Sequence, residues 1–182
     1  MPRISPLTIE TASPEASQTL EAIKGKIGMV PNIYATLAHA PAALTALLGF
    51  GEAVGQSSLS PALREQIALT IAGVNSCDYC ASAHTMIGKG AGVNEDELAS
   101  NLAGNASDSK TQAFLTLAKR IVEKQGHLSD AEVAEARDAG ITDQEIIEVL
   151  AVVAQNIFTN YFNHIADPEI DFPVVRTGQA VS

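Results

Sequence analysis

At 182 residues, 46% of them hydrophobic, the chain has the length of one domain. A compact chain of that size buries roughly 70% of the surface it exposes unfolded, so no disulfide or metal staple is needed to hold it. A formal net charge of -10, with eleven Lys and Arg placed singly, offers no basic stripe to a phosphate backbone and sets nucleic acid aside as a partner. No uncharged apolar run reaches the length of a membrane span, and residues 1–12 carry Arg3, Glu10 and two prolines without the apolar core of a signal peptide. The expectation is a soluble, cytoplasmic protein with no membrane contact. Aromatic residues are scarce at 4%, with no Trp, while Ala, Leu and Ile are plentiful, which suits closely packed helices better than a sandwich or barrel.

Helix punctuation recurs along the chain. Ser13, Pro14 and Glu15 place an N-cap, a first-turn proline and an acid in order, predicting a helix to about Lys26 that Gly28 and the Val30-Pro31-Asn32 turn break. After a short piece over Ile33 to Leu37, Pro41 opens a helix with Leu44, Leu47, Leu48, Gly51 and Val54 at helical spacing, closed by Ser57 and Ser58. Ser60-Pro61 repeats the cap-then-proline start, and the helix to about Val74 is apolar nearly all round, as a helix buried on most sides should be. Asn75 and Ser76 are read as the cap of a helix from about Cys77 to Ile87 that the glycines at 88, 90 and 92 end.

Three further starts have the form of capping boxes: Asn94 with Glu97, Ser129 with Glu132, and Thr142 with Glu145. Between the first two, Lys110 to Gln125 sets Phe114, Leu117, Ala118 and Ile121 on one stripe and Lys119, Arg120 and Glu123 outside it. The last helix, about Asp143 to Ile165, has an apolar core to Val153 and then interleaves Asn156, Asn160, Asn163 and His164 with Phe158, Tyr161 and Phe162. That mixture is read as an interface or cleft wall, with His164 and the asparagines at a helix end or subunit contact. From about Asp167 the prolines at 168 and 173 impose an extended tail. No β-rich run, linker or internal repeat interrupts a single all-α domain over 1–182, with a redox motif in 60–92.

The chemistry concentrates around two cysteines. In an extracellular chain they would form a staple; in a reducing compartment a close pair points to redox work or metal binding. On a helix, Cys77 and Cys80 at i, i+3 share a face about 4.5 Å apart along the axis, and His84 is i+4 from Cys80 on the same face. A helix N-terminus favours thiolate over thiol and draws a cysteine pKa below its free value of about 8.5. A thiolate attacks peroxide oxygen, and the leaving alkoxide needs a proton that a nearby His or carboxylic acid supplies. Glu65, twelve residues before Cys77, lies among Ala68, Leu69 and Ala72 in an apolar stripe. It can be neutral by desolvation or charged with a partner, and either state suits a proton relay.

The pattern of Glu65, eleven residues, Cys77-x-x-Cys80, three residues and His84 resembles the core motif of AhpD-like alkylhydroperoxidases in the carboxymuconolactone decarboxylase superfamily. The match in spacing covers about Leu59 to Val93. Val30-Pro31-Asn32, residues 160–164 and the tail from Asp167 to Pro173 look like the peroxidase-related branch of that superfamily. The resemblance implies an AhpD-like multi-helix bundle, assembly into a homo-oligomer (trimer or hexamer), and an antioxidant alkyl hydroperoxide reductase with no haem, flavin or bound metal. It also implies roles: Cys80 as the peroxidatic thiolate, Cys77 as the resolving thiol, Glu65 and His84 as the relay, a hydroperoxide as substrate, and an external dithiol or thiol-protein as reductant. One departure is Tyr79, where the best-studied members carry a histidine. A phenol of pKa about 10 is a poorer proton shuttle, and Tyr79 is read as a wall of a substrate cleft.

Other readings stand beside this one. The dithiol can serve a thiol-disulfide oxidoreductase or redox sensor that acts on a protein partner without peroxidase turnover. Alternatively, two Cys, His84 and Glu65 supply four zinc ligands in a non-catalytic helical oligomer, although structural zinc sites mostly use Cys and His alone. Decarboxylation of a lactone acid is the weaker option, because that branch does not depend on a redox pair. His39 and His127, beside Pro41 and Gly126, are read as loop residues.

Overall fold

The structure, a computed structural model, describes residues 1–178. Among them it is entirely helical: α1 (Pro14–Ile27), α2 (Asn32–Leu37), α3 (Pro41–Gly55), α4 (Pro61–Val74), α5 (Asp78–Gly90), α6 (Glu95–Leu102), α7 (Ser109–Glu123), α8 (Asp130–Asp138) and α9 (Asp143–Ala166). No helix among these residues is long and apolar enough to cross a membrane. The predicted caps fall where their local signals put them. Ser13 Oγ accepts from Ala16 N, Ser60 Oγ from Leu63 N, and Ser129 and Thr142 close complete capping boxes with Glu132 and Glu145.

The apolar α4 is the hub, packed against α5, α6, α7 and α9. Its Ile67 and Ile71 are fully buried and, with Leu115 of α7 and Val149 and Val153 of α9, build one core. Burying each such side chain contributes roughly 1.5–3 kcal/mol. A second core lies on the other side of α4, where Leu20 of α1, Leu37 of α2, Leu44 of α3 and Ala72 of α4 pack around Cys77, Tyr79 and Cys80. Close approach depends on two glycines. A Cβ at Gly73 would fall 2.0 Å from the Leu102 carbonyl oxygen of α6, and one at Gly88 would meet Leu98 at 2.6 Å.

Four sequence expectations need correction. Asn75 and Ser76 do not cap α5: Asn75 ends α4, Ser76 is left-handed (φ 55°), and Cys77 is itself the N-cap residue. Helix α5 continues through Gly88 to Gly90, because packing on Leu98 and Glu65 rewards the missing Cβ, and the left-handed Gly92 makes the break. Asn94 caps α6, but Glu97 does not return to it; its carboxylate takes the Ser107 N–H and the Asn101 amide instead. Helix α7 starts at an unforeseen cap, Asp108, whose carboxylate accepts from Thr111 N.

Both ends of the described residues lie against this scaffold. Arg3 N and Ile4 N donate to the Ala166 carbonyl, and the Arg3 guanidinium donates to the His164 carbonyl, so the N-terminal segment satisfies acceptors that the end of α9 leaves open. After α9 the described tail, through residue 178, carries no helix, and its Ile170, Phe172 and Val175 complete the second core.

Candidate active site

The dithiol sits where the polypeptide turns from α4 into α5. Cys77 N donates to the Ala72 carbonyl and Ser76 N to the Gly73 carbonyl, closing the end of α4 around the left-handed Ser76. Cys77 thus has extended rather than helical backbone (φ -101°, ψ 94°), and Cys80 lies in the first turn of α5. Both cysteines are free thiols and almost fully buried, at 2% and 3% exposure. Two surface hollows lie elsewhere, one lined by Ser109, Arg120 and Ala136 and the other by Phe50, Val54 and Glu148.

The two sulfurs share one negative charge unequally. The Cys80 thiol beside it draws the Cys77 pKa down to about 6, against the opposing effect of burial, with help from His164 and Asn163. Cys80 is the converse: its proton is held by the Cys77 sulfur, burial adds to this, and its pKa lies well above the ordinary thiol value. Both directions make Cys77 the sulfur that more readily carries negative charge, with the Cys80 proton held toward it. Asn163 Nδ2 of α9 donates to the Cys80 sulfur at 3.2 Å and reaches the Cys77 sulfur at 3.9 Å.

Glu65 of α4 and His84 of α5 meet at 2.7 Å between Oε2 and Nδ1, both half-buried. Burial pushes the imidazole pKa down, but the Glu65 carboxylate, the Cys77 sulfur and the Asn156 carboxamide outweigh it, so the net shift is upward. The structure thus brings Glu65, His84, Cys77 and Cys80 into one electrostatic unit. Among the described residues, no three His, Cys, Asp or Glu side chains converge as a metal site.

Tyr79 has a different place from the one expected. Its hydroxyl donates to Asp171 Oδ1 (2.8 Å) and accepts from Ile33 N (3.1 Å), and its ring stacks edge-on against Phe172. Burial pushes its pKa upward. Rather than lining a cleft, Tyr79 anchors the tail and α2 to α5, and the other Asp171 oxygen accepts from Asn32 N. Ser82 and Asp78 extend the seam: Ser82 Oγ accepts from Val175 N, and Asp78 accepts from Arg176 and Thr177.

The residues missed from sequence are the asparagines. Asn156, Asn160 and Asn163 turn inward, at 5%, 0% and 5% exposure, and line the dithiol and His84 instead of a subunit contact. Their spacing of four and three residues, one face of α9, was the available signal. His164 keeps its place at a helix end, its Nε2 at 2.9 Å from the Asn75 carbonyl. His39 contacts the Ser5 carbonyl.

Fold and site together define an all-helical dithiol protein with a paired carboxylate and imidazole beside its sulfurs. Residues 41–124, from α3 through α7, match the carboxymuconolactone decarboxylase family. None of the curated proteins matches the chain at a significant level. Among solved structures, the AhpD-core "uncharacterized peroxidase-related protein" from Ralstonia eutropha aligns with a TM-score of 0.85 at 21% identity, covering 93% of this chain and 92% of that one. An uncharacterized peroxidase-related protein from Silicibacter sp. aligns at 0.80 and 22% identity over 97% and 96%. The debrominase Bmp8, in complex with 2,3,4-tribromopyrrole, aligns at 0.78 and 21% identity over 93% and 91%. At these identities the likeness establishes the fold. The chain thus shares the fold of the AhpD-core structures and carries, over residues 41–124, a segment that matches the carboxymuconolactone decarboxylase family.

Proposed function

We propose that the protein is an alkyl hydroperoxide reductase that cycles Cys77 and Cys80 between dithiol and disulfide. The observation that carries this reading is a pair of buried free thiols, both within reach of the Asn163 amide, alongside a 2.7 Å Glu65–His84 pair. Nucleophile and proton donor are then both present, as peroxide cleavage requires. In the first step the Cys80 sulfur attacks the terminal oxygen of ROOH while its proton passes to the Cys77 thiolate. The O–O bond breaks, Cys80 becomes the sulfenic acid or its anion, and His84, recharged through Glu65, protonates the departing oxygen to give ROH. The Cys77 sulfur next attacks the Cys80 sulfur, forming the disulfide and releasing water. An external dithiol reduces the disulfide by exchange and is itself oxidised. The sum is ROOH plus a dithiol giving ROH, water and a disulfide.

The test is a thiol count on reduced protein before and after one equivalent of cumene hydroperoxide. Loss of two thiols within seconds is the expected result, and unchanged thiols would overturn the reading. A second reading is favoured by Tyr79, whose hydroxyl is committed to Asp171 and Ile33 and leaves the relay with one group fewer than in the best-studied relatives. It is a dithiol acting on a protein disulfide without peroxidase turnover, and disulfide exchange without peroxide consumption selects it. Because the same fold serves a debrominase, 2,3,4-tribromopyrrole belongs in the panel of oxidants.

A further inference from the structure

Two carboxamides of α9 are placed at a cost that neutral thiols do not offset. Asn160 is fully buried, and its Oδ1 accepts from Asn75 Nδ2 at 2.9 Å, which fixes the amide plane. Its Nδ2 then has no partner, although the amide lies close enough to Cys80 to favour charge there. Asn163 has both sulfurs within reach of its Nδ2 and leaves its buried Oδ1 unpaired. A buried amide group without a partner costs about 1–3 kcal/mol, and a neutral thiol is a weak acceptor. An anionic sulfur is a strong acceptor, and hydrogen bonds to ions are about twice as strong as neutral ones.

We propose that Asn163 is a catalytic residue of this centre: its carboxamide gives one N–H to each sulfur and holds the negative charge of the pair wherever it resides, with Asn160 Nδ2 as a second donor to the Cys80 sulfur or to the oxygen that sulfur acquires. Neither amide moves a proton. When Cys80 passes its proton to Cys77 and attacks, the charge leaves one sulfur and develops on the other, and Asn163 is bonded to both throughout. Asn160, whose donor is unpaired beside the thiols, finds its partner in the oxygen of the sulfenate. The inference rests on the dithiol reading of the site and is independent of which oxidant the dithiol meets.

The titratable groups around the pair are Glu65 from α4, His84 and Tyr79 from α5, His164 from α9, Tyr34 from α2 and Asp171 from the tail. The experiment titrates the thiolate of the whole chain, by its ultraviolet absorbance and by the rate of iodoacetamide alkylation, in wild type and in Asn163→Leu, Asn163→Asp and Asn160→Leu. Wild type should show the lower apparent pKa at about 6. Asn163→Leu should raise it by about one unit, a tenfold loss of thiolate below it, Asn160→Leu should raise it less, and Asn163→Asp should raise it most through like-charge repulsion.

A merely structural role would lower the melting temperature without moving the titration, and Asn163 variants that fold and titrate as wild type overturn the proposal. Should the variants not fold, the wild-type chain still decides: the Asn163 side-chain amide protons should shift in NMR with the same apparent pKa as the thiolate absorbance. Amide protons that do not follow it overturn the proposal equally. These readouts use no peroxide, so a dithiol that ignores cumene hydroperoxide but shows the Asn163 shifts refutes the peroxidase reading alone.

Discussion

Because Glu65 holds His84 by a short hydrogen bond, the protonation of His84 and that of the dithiol set the pH dependence together. Peroxide consumption needs a thiolate and a protonated donor, so the rate should rise as pH passes about 6, the Cys77 value, and fall as pH passes the raised His84 pKa. Glu65→Gln removes the main group raising that pKa and leaves burial, which lowers it. The alkaline limb should therefore move to lower pH and the rate should drop by roughly 10²–10⁴-fold, as loss of a positioned acid does. The same linkage acts on stability. A raised His84 pKa stabilises the fold fully below the unfolded value of about 6.5, and that stabilisation is lost as pH rises through the folded value. Denaturant titration of wild type against Glu65→Gln at acidic and alkaline pH checks it, with the larger difference expected on the acid side. The two sulfurs separate by a different route. With Cys77 replaced by Ser, one equivalent of peroxide should leave a sulfenic acid on Cys80 that dimedone traps; with Cys80 replaced, no adduct should form. The reverse pattern would make the resting Cys77 thiolate the attacking group.

At the level of elements, the site depends on how α4 ends. Ser76 in the left-handed region costs a non-glycine residue about 1–2 kcal/mol, and a β-branched side chain fits there worst. Ser76→Val should lose about that much stability by urea denaturation and displace Cys77, whereas Ser76→Gly should keep both stability and thiol reactivity. Tyr79→Phe leaves one Asp171 oxygen and the Ile33 N–H without their partner, at about 1–3 kcal/mol. Limited proteolysis should then cut the tail near Asp171 faster than in wild type, and an unchanged cleavage rate would deny Tyr79 its anchoring role. These elements also mark what a linear reading can reach. Ser13, Ser60, Ser129 and Thr142 announced helix starts correctly because a cap acts on residues two or three away. Glu65 and His84 were legible through spacing within and between adjacent helices. Asn163 was not, because its partners are 83 and 86 residues away and only tertiary packing brings them together. Tyr79 misled for the same reason: its partner Asp171 lies 92 residues on, in a tail whose prolines announced extension but not where it would lie.

For the whole molecule, the outward face of α9 poses the open question of assembly. Ile147, Leu150, Phe158, Tyr161 and Ile165 are exposed at 67%, 50%, 44%, 54% and 65%. Together with the exposed Ala154 they recur at intervals of three and four residues, forming one stripe along the 24-residue helix. The asparagines occupy its other face, so α9 has two apposed jobs: it lines the dithiol with amides and offers solvent an apolar seam. Apolar stripes of this spacing are what helices bury against one another, and contiguous exposed apolar patches mark interaction sites more often than bare surface. The tail, by contrast, packs Ile170, Phe172 and Val175 within its own chain. The homo-oligomer that the superfamily resemblance implies should therefore form through α9. Sedimentation at micromolar concentration should give a species larger than 19.0 kDa, and Ile147→Glu with Ile165→Glu should shift it to monomer while leaving far-ultraviolet helicity unchanged. A seam on α9 also makes reactivity sensitive to assembly, because Asn160 and Asn163 ride on the same helix. If the double variant is monomeric, its thiolate titration should broaden or move upward. A wild-type chain that sediments as a monomer would instead leave the stripe to another partner and free the dithiol from any dependence on assembly.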